Sequence, residues 1–316
     1  MLVAATLCWA VSFPVMRALS LHQPALVSGA GSWFFSSLGV AARFWAAGLC
    51  LALLCARELP GLTRLEIEQG VGLGVFGALG MLFQMDGLAH TEASVSAFLT
   101  QGYVLWLPLW QALAGRRPPP VRLWVAVAAV VAGVAILSGV TWERLRLGRG
   151  EIETLIASGF FAGQILWLQR PRYEGNHVGR FTVVMFGVMG LTMLPVVVLT
   201  APDAGACFRA FASVPAAGMT LILVGICTLG GYLLMNHWQR RLGATEAGLI
   251  YCTEPVFASL LALWLPGILS QWAGIAYANE TVTARLLIGG GLILAANLLV
   301  QWQQGAAGSQ TELAAA

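Results

Sequence analysis

TEAGLIYCTEPVFASLLALW, residues Thr245–Trp264, is the stretch on which the fold turns. As a helix rising 1.5 Å per residue, it is long enough to cross the roughly 30 Å hydrocarbon layer of a bilayer. Yet near its middle it places Glu254 directly before Pro255. An ionisable side chain at that depth costs about 2.5–3.5 kcal/mol on insertion scales, so it normally faces a cavity or a partner. Proline removes one helix N–H, and its ring leaves a carbonyl near Tyr251 without a donor. The stretch is therefore a membrane helix opened locally around a carboxyl group.

The rest of the chain agrees with a membrane setting. Its 316 residues are 58% hydrophobic and 10% charged, against roughly 25% charged in a soluble domain. Mean hydropathy is +0.79. Hydrocarbon offers no water to free backbone groups, so only helices or closed barrels span it, and apolar runs of about 20 residues select helices. Breaks at charged, Pro and Gly clusters give ten candidate spans, near 2–21, 36–56, 67–88, 93–114, 121–140, 152–170, 180–200, 214–238, 244–265 and 284–303. The connections include 56–66, 115–120, 142–151 and 170–180, with longer ones at Leu21–Phe35 and Pro266–Thr283. The first apolar run starts at Met1 without a basic stretch or a clear cleavage site and is expected to stay as a span.

All 17 basic residues are arginine, and they lie between apolar runs rather than in one patch, which gives nucleic-acid binding no support. With the amino terminus inside, the inner connections hold ten arginines (57, 64, 116, 117, 122, 170, 172, 180, 240, 241) and the outer ones six (17, 144, 146, 149, 209, 285). The positive-inside rule then places both termini in the cytoplasm. The six cysteines show no metal-type spacing and read as small buried hydrophobes.

A slide of about 151 residues brings Ala93 over Ala244, Ala97 over Gly248, Val104 over Pro255 and Leu109 over Leu260. Spans and polar punctuation correspond throughout. The expected fold class is an all-α membrane protein whose ten transmembrane helices form two inverted five-helix repeats, 1–141 and 151–303, with a linker at 142–150 and a disordered tail at 304–316. Five is odd, so the second copy enters the membrane from the opposite side, and such repeats place a substrate site near the midplane between them.

LCWAVSFPVMRAL (7–19), ARFWAAGLCLALL (42–54), AHTEASVSAFLTQGYVLWLPLWQAL (89–113), LGATEAGLIYCTEPVFASLLALW (242–264) and TVTARLLIGGGLILAANLLV (281–300) resemble the landmarks of EamA-type permeases of the drug/metabolite transporter superfamily. The resemblance covers nearly the whole chain. It implies ten spans, two EamA repeats and transport of a small molecule. Two departures stand out: Tyr103-Val104 replaces the usual small residue and proline, and the 266–283 connection is longer than the family's short turn.

The residues that can hold a substrate are polar or aromatic and recur at corresponding places: Trp9, Gln84, Tyr103, Gln164, Trp167, Asn236, Tyr251 and Glu254. Mixed apolar and hydrogen-bonding walls suit a small-molecule site. Glu254 either exchanges protons as part of coupling or is held by a neighbouring helix or by Arg43. Arg43, the only arginine well inside a span, contacts an anion or makes a structural pair. FQMDGLAH (83–90) and MNHWQRR (235–241) form related polar clusters, with Asp86 and His237 among them. Glu246 and Glu92 suit helix starts, with Thr245 and Thr91 as caps. Trp33, Trp142, Trp272 and Trp302 fall where indoles sit at interfaces, while Gln101 and Gln111 join the polar set within spans. Gly70, Gly74 and Gly77 share a helix face, which permits close helix approach.

HExxH, GxSxG and paired metal-ligand spacings are missing, so no catalytic residue, metal or cofactor is expected. The expected function is a secondary transporter of a small organic metabolite, an amino acid or drug-like compound, in a bacterial inner membrane. Alternating access is its mechanism and protons are one candidate source of coupling. Its partners are that substrate and membrane lipids; oligomeric state has no signature here. The alternatives are a membrane-embedded enzyme and a helix bundle that binds lipid or a partner without transport.

Overall fold

A computed structural model describes residues 1–103, 105, 106, 109, 110, 121–137, 147–239, 250–296, 298 and 299. Thr245, Glu246, Gln111, Trp142, Trp302, the 115–120 connection and the 304–316 tail lie outside the described residues. Within them, regular structure is helical throughout. In chain order the helices are α1 (Leu2–Leu26), α2 (Ser32–Leu54), α3 (Arg64–Leu88), α4 (Ala93–Thr100), α5 (Val121–Leu137), α6 (Arg149–Leu168) and α7 (Val178–Thr200). They continue as α8 (Val214–Trp238), α9 (Glu254–Ala262), α10 (Leu265–Ala273) and α11 (Ala284–Ala296).

Five of these, α1, α2, α3, α7 and α8, are long and apolar enough to cross a membrane, and α9 with α10 makes a sixth if that pair, bent by 53°, is one span. The chain is an integral membrane protein. The other expected spans fall short among the described residues for visible reasons. α6 opens with Arg149, Glu151 and Glu153, which lowers its hydropathy, while α5 has 17 residues and the described part of α4 only 8.

Two connections are shorter than the sequence suggested. α1 runs to Leu26 with Pro14 and Pro24 inside it, and α2 begins at Ser32, so the 21–35 connection shrinks to 27–31. Gly29, at φ +81°, and Gly31 stay in that connection, while the stretches that join the helices, 21–26 and 32–35, contain no glycine. The 266–283 connection likewise begins as helix, because Pro266 occupies the first turn of α10, where its missing N–H has no bond to lose. Gly274, at φ +63°, ends that helix in a left-handed conformation that favours glycine.

Pro255 has the same role one helix earlier. Residues 252 and 253 form a turn, and α9 starts at Glu254 with Pro255 beside it. The carboxyl therefore sits in the first turn of a helix, where the dipole favours negative charge.

The central packing joins α2 to α7 and α3 to both α6 and α7, while α1 packs on α8 and α9, and α4 on α6 and α9. The glycine face of α3 explains part of that packing. A Cβ built at Gly70 would lie 2.7 Å from the Phe181 carbonyl oxygen and 2.6 Å from Val184 Cβ, and one at Gly74 would lie 2.9 Å from the Met185 carbonyl oxygen. Backbone cannot step aside, so α7 must back away. Gly70→Ala is expected to cost about 1–3 kcal/mol, the usual toll of overpacking. Gly187→Ala on α7, with nothing within 4 Å, should be neutral. Thermal unfolding of the two variants in detergent checks this; equal melting temperatures would remove the close-packing account.

Candidate functional site

Helices α1, α2, α3, α4, α6, α8 and α9, together with the chain just after α4 and just before α9, surround one central cavity of about 70 Å³. Its walls include Trp9, Arg43, Gln84, Thr100, Tyr103, Gln164, Tyr232, Tyr251 and Glu254, with Met81, Phe161 and Met235 as apolar filling. A buried water needs roughly 10–15 Å³, and a drug-sized ligand site is about 300–1,000 Å³. In this conformation the cavity has room for a few waters, and a metabolite enters only if the surrounding helices part.

Hydrogen bonds fix much of the polar wall. Gln84 donates to the Thr100 hydroxyl at 3.0 Å, and that hydroxyl donates back to the Ser96 carbonyl. Gln164 donates across to the Leu73 carbonyl at 3.1 Å, tying α6 to α3. The Tyr251 hydroxyl donates to Gln239 at 2.7 Å. The aromatic wall is continuous: Trp9 meets Tyr232 and Tyr251 at ring distances of 5.8 and 5.7 Å, and Tyr232 meets Phe44 and Phe186 at 5.6 and 5.9 Å. Trp9 lies so close to α8 that a Cβ at Gly231 would be 2.4 Å from its indole nitrogen. That nitrogen is buried without a hydrogen-bond acceptor.

Glu254 is 6% exposed, and the Gln101 amide donates to its carboxylate at 3.4 Å. The pairing with Arg43 weighed from sequence is not present. Arg43, 2% exposed, instead donates Nε–H to the Thr228 hydroxyl, places Nη1 3.5 Å from the Met16 sulfur and lies over the Phe44 ring.

Six of the eight substrate-site residues expected from sequence thus face one cavity, as does Arg43; Trp167 and Asn236 do not. Trp167 lies under the Arg170 guanidinium, 3.7 Å from its ring centre, and packs against Gly72 and Phe76 near the end of α6. Asn236 is buried and donates to Thr182 at 2.9 Å. Tyr232 was missed from sequence; the Gly230-Gly231 pair before it was the available signal, since it lets Trp9 approach.

Two polar clusters join distant parts of the chain outside the cavity. Asp86, fully buried, accepts from Arg149 and from Ser36, and Arg149 also donates to Glu153 at 2.8 Å. At the start of α4, Thr91 donates to Glu151 rather than capping, and Glu92 makes no capping bond. The cap comes from Glu280, whose carboxylate accepts the Ala93 and Ser94 N–H groups at 2.9 and 3.3 Å. Burial pushes the Glu280 carboxyl above its usual range, against the pull of the Ser94 and Ala93 donors. Among the described residues, no three His, Cys, Asp or Glu side chains converge as a metal site would require.

Residues 1–139 match the EamA-like transporter family. The chain thus carries an EamA-like transporter domain over its first 139 residues. It is similar to an uncharacterized transporter of Archaeoglobus fulgidus, 25% identical over 259 residues, covering 81% of this chain and 74% of the relative. It is also similar to an uncharacterized transporter of Synechocystis sp., 24% identical over 233 residues, covering 67% of each. A crystal structure of 14% sequence identity matches at a TM-score of 0.54, covering 93% of this chain and 95% of the other, which speaks to the fold alone.

Proposed function

We propose that this protein is a secondary transporter that moves a small organic metabolite across a bacterial inner membrane by alternating access. The observation that carries the proposal is the central cavity: seven helices contribute to it, and it combines aromatic faces, amide groups, a guanidinium and a carboxyl. The same residues suit a ligand that is mostly apolar with a few polar anchors. The family and the transporter names of the relatives point the same way.

The proposal includes ten spans in two inverted copies, 1–141 and 151–303. Contacts between helices of different copies support it, because the main ones have a counterpart when the copies are exchanged. α3 on α6 is answered by α8 on α1, α3 on α7 by α8 on α2, and α4 on α6 by α9 on α1. That exchange pattern is what a two-fold axis in the membrane plane produces.

Reconstitution tests the function. A metabolite library is screened on the purified protein by thermal shift, since a ligand of the native state raises apparent stability with concentration. Hits are then offered to sealed proteoliposomes. Uptake or counterflow above protein-free vesicles is expected, and a hit that binds but never crosses would favour a binding bundle instead. Orientation is read separately: a single cysteine placed in 275–283 should label from outside and one in 115–120 only after permeabilisation, as both termini inside require. The opposite labelling overturns that topology.

A further inference from the structure

From the surroundings of Arg43 we infer that the central cavity contains a carboxylate subsite, so that the substrates are small organic acids with an apolar body. The inference rests on the transporter proposal and names its substrate class.

A guanidinium has five N–H donors and stays charged at any physiological pH. Removed from water, such a charge needs an anion or several good acceptors. Arg43 has neither. Its Nε–H is taken by the Thr228 hydroxyl, Nη1 faces only the Met16 thioether at 3.5 Å, and no carboxylate among the described residues lies within ion-pair distance. Sulfur in a thioether is a weak acceptor, so Met16 fills the place without satisfying it. Arg43 is 2% exposed yet lines the cavity, so its remaining donors have no outlet but that space.

Two further features point to the same ligand group. The Trp9 indole N–H, on the same cavity, is also buried without an acceptor. Thr228 belongs to Leu223–Gly230, a π-helical segment in the middle of α8. Such segments are rare and recur at functional sites. Here the wide turn carries the hydroxyl that orients Arg43. A planar guanidinium matches the two oxygens of a carboxylate, and Trp9, Tyr232 and Tyr251 supply the apolar wall for the remainder of the molecule.

The test compares acids with the amides that lack their carboxylate charge, on the purified protein by thermal shift and calorimetry: 3-phenylpropionate against 3-phenylpropionamide, L-phenylalanine against L-phenylalaninamide, and isovalerate against isovaleramide. At least one acid is expected to bind, at least tenfold more tightly than its amide. R43Q should fold and lose that preference, R43K should keep a reduced one, and T228V should weaken it while leaving the guanidinium in place. R43M should melt no lower than the wild type, because an incompletely paired buried cation is gone. A role confined to packing predicts a lower melting temperature for R43M and an unchanged acid preference in R43Q, and either result overturns the subsite. Equal binding of acid and amide in the wild type, or no binding by any acid, also overturns it. Acid-selective binding without uptake into proteoliposomes would instead refute transport and leave the subsite standing.

Discussion

Glu254→Gln is expected to fold, to bind and exchange substrate, and to lose accumulation driven by a pH gradient by at least tenfold. Glutamine preserves the shape and hydrogen bonding of the side chain but cannot take up or release a proton. Glu254 lines the cavity, is buried, and accepts a single long hydrogen bond from the Gln101 amide just after α4. The nearby arginine does not fix its charge, because Arg43 is engaged with Thr228. Its position in the first turn of α9 favours the carboxylate, while the membrane interior opposes it. A group balanced between those two influences can change state when the cavity opens to one side or when a ligand arrives. Proteoliposomes with an imposed pH gradient measure accumulation, and equal pH on both sides measures exchange. Full gradient-driven accumulation by Glu254→Gln, with Glu254→Ala merely unfolding, would make the residue structural.

The sequence made the spans visible but not their faces. A membrane helix is apolar all round, so periodicity does not say which side meets a neighbour, and this is why Trp167 and Asn236 joined the expected site while Tyr232 did not. Residues with a cost attached were better guides: Glu254 and Arg43 are expensive in hydrocarbon, and both line the cavity. Proline was ambiguous. Pro255 and Pro266 both sit at helix starts, whereas Pro14, Pro24 and Pro195 lie inside helices. The same residue type marks a boundary only where the chain after it turns, which tertiary packing decides. Contacts between remote segments had no local signal at all. Glu280 caps a helix 187 residues earlier in the chain, and nothing around Glu92 or Ala93 announces that arrangement.

The second large effect is expected at the ion pair between Asp86 and Arg149, which joins α3 to the start of α6. The two partners differ in burial: Asp86 is 0% exposed, and the Arg149 side chain is 46% exposed. Removing one partner of a buried pair costs about 3–5 kcal/mol, chiefly because the other charge is left unpaired. Solvent around Arg149 screens part of that here, so Arg149→Met should cost about 2 kcal/mol. Asp86 would then keep the Ser36 hydroxyl at 3.2 Å and the His90 ring at 3.9 Å, which are poor replacements for a guanidinium. Glu153 would lose its Arg149 partner at the same time. Asp86→Asn removes the stranded charge, so the double variant Asp86→Asn with Arg149→Met should recover much of the loss. Melting temperatures of the two single variants and the double variant, in detergent at fixed ionic strength, form the cycle that isolates the coupling. An Arg149→Met protein that melts with the wild type, or a double variant whose loss is the sum of the singles, would show that the pair is not what holds α3 and α6 together at this end.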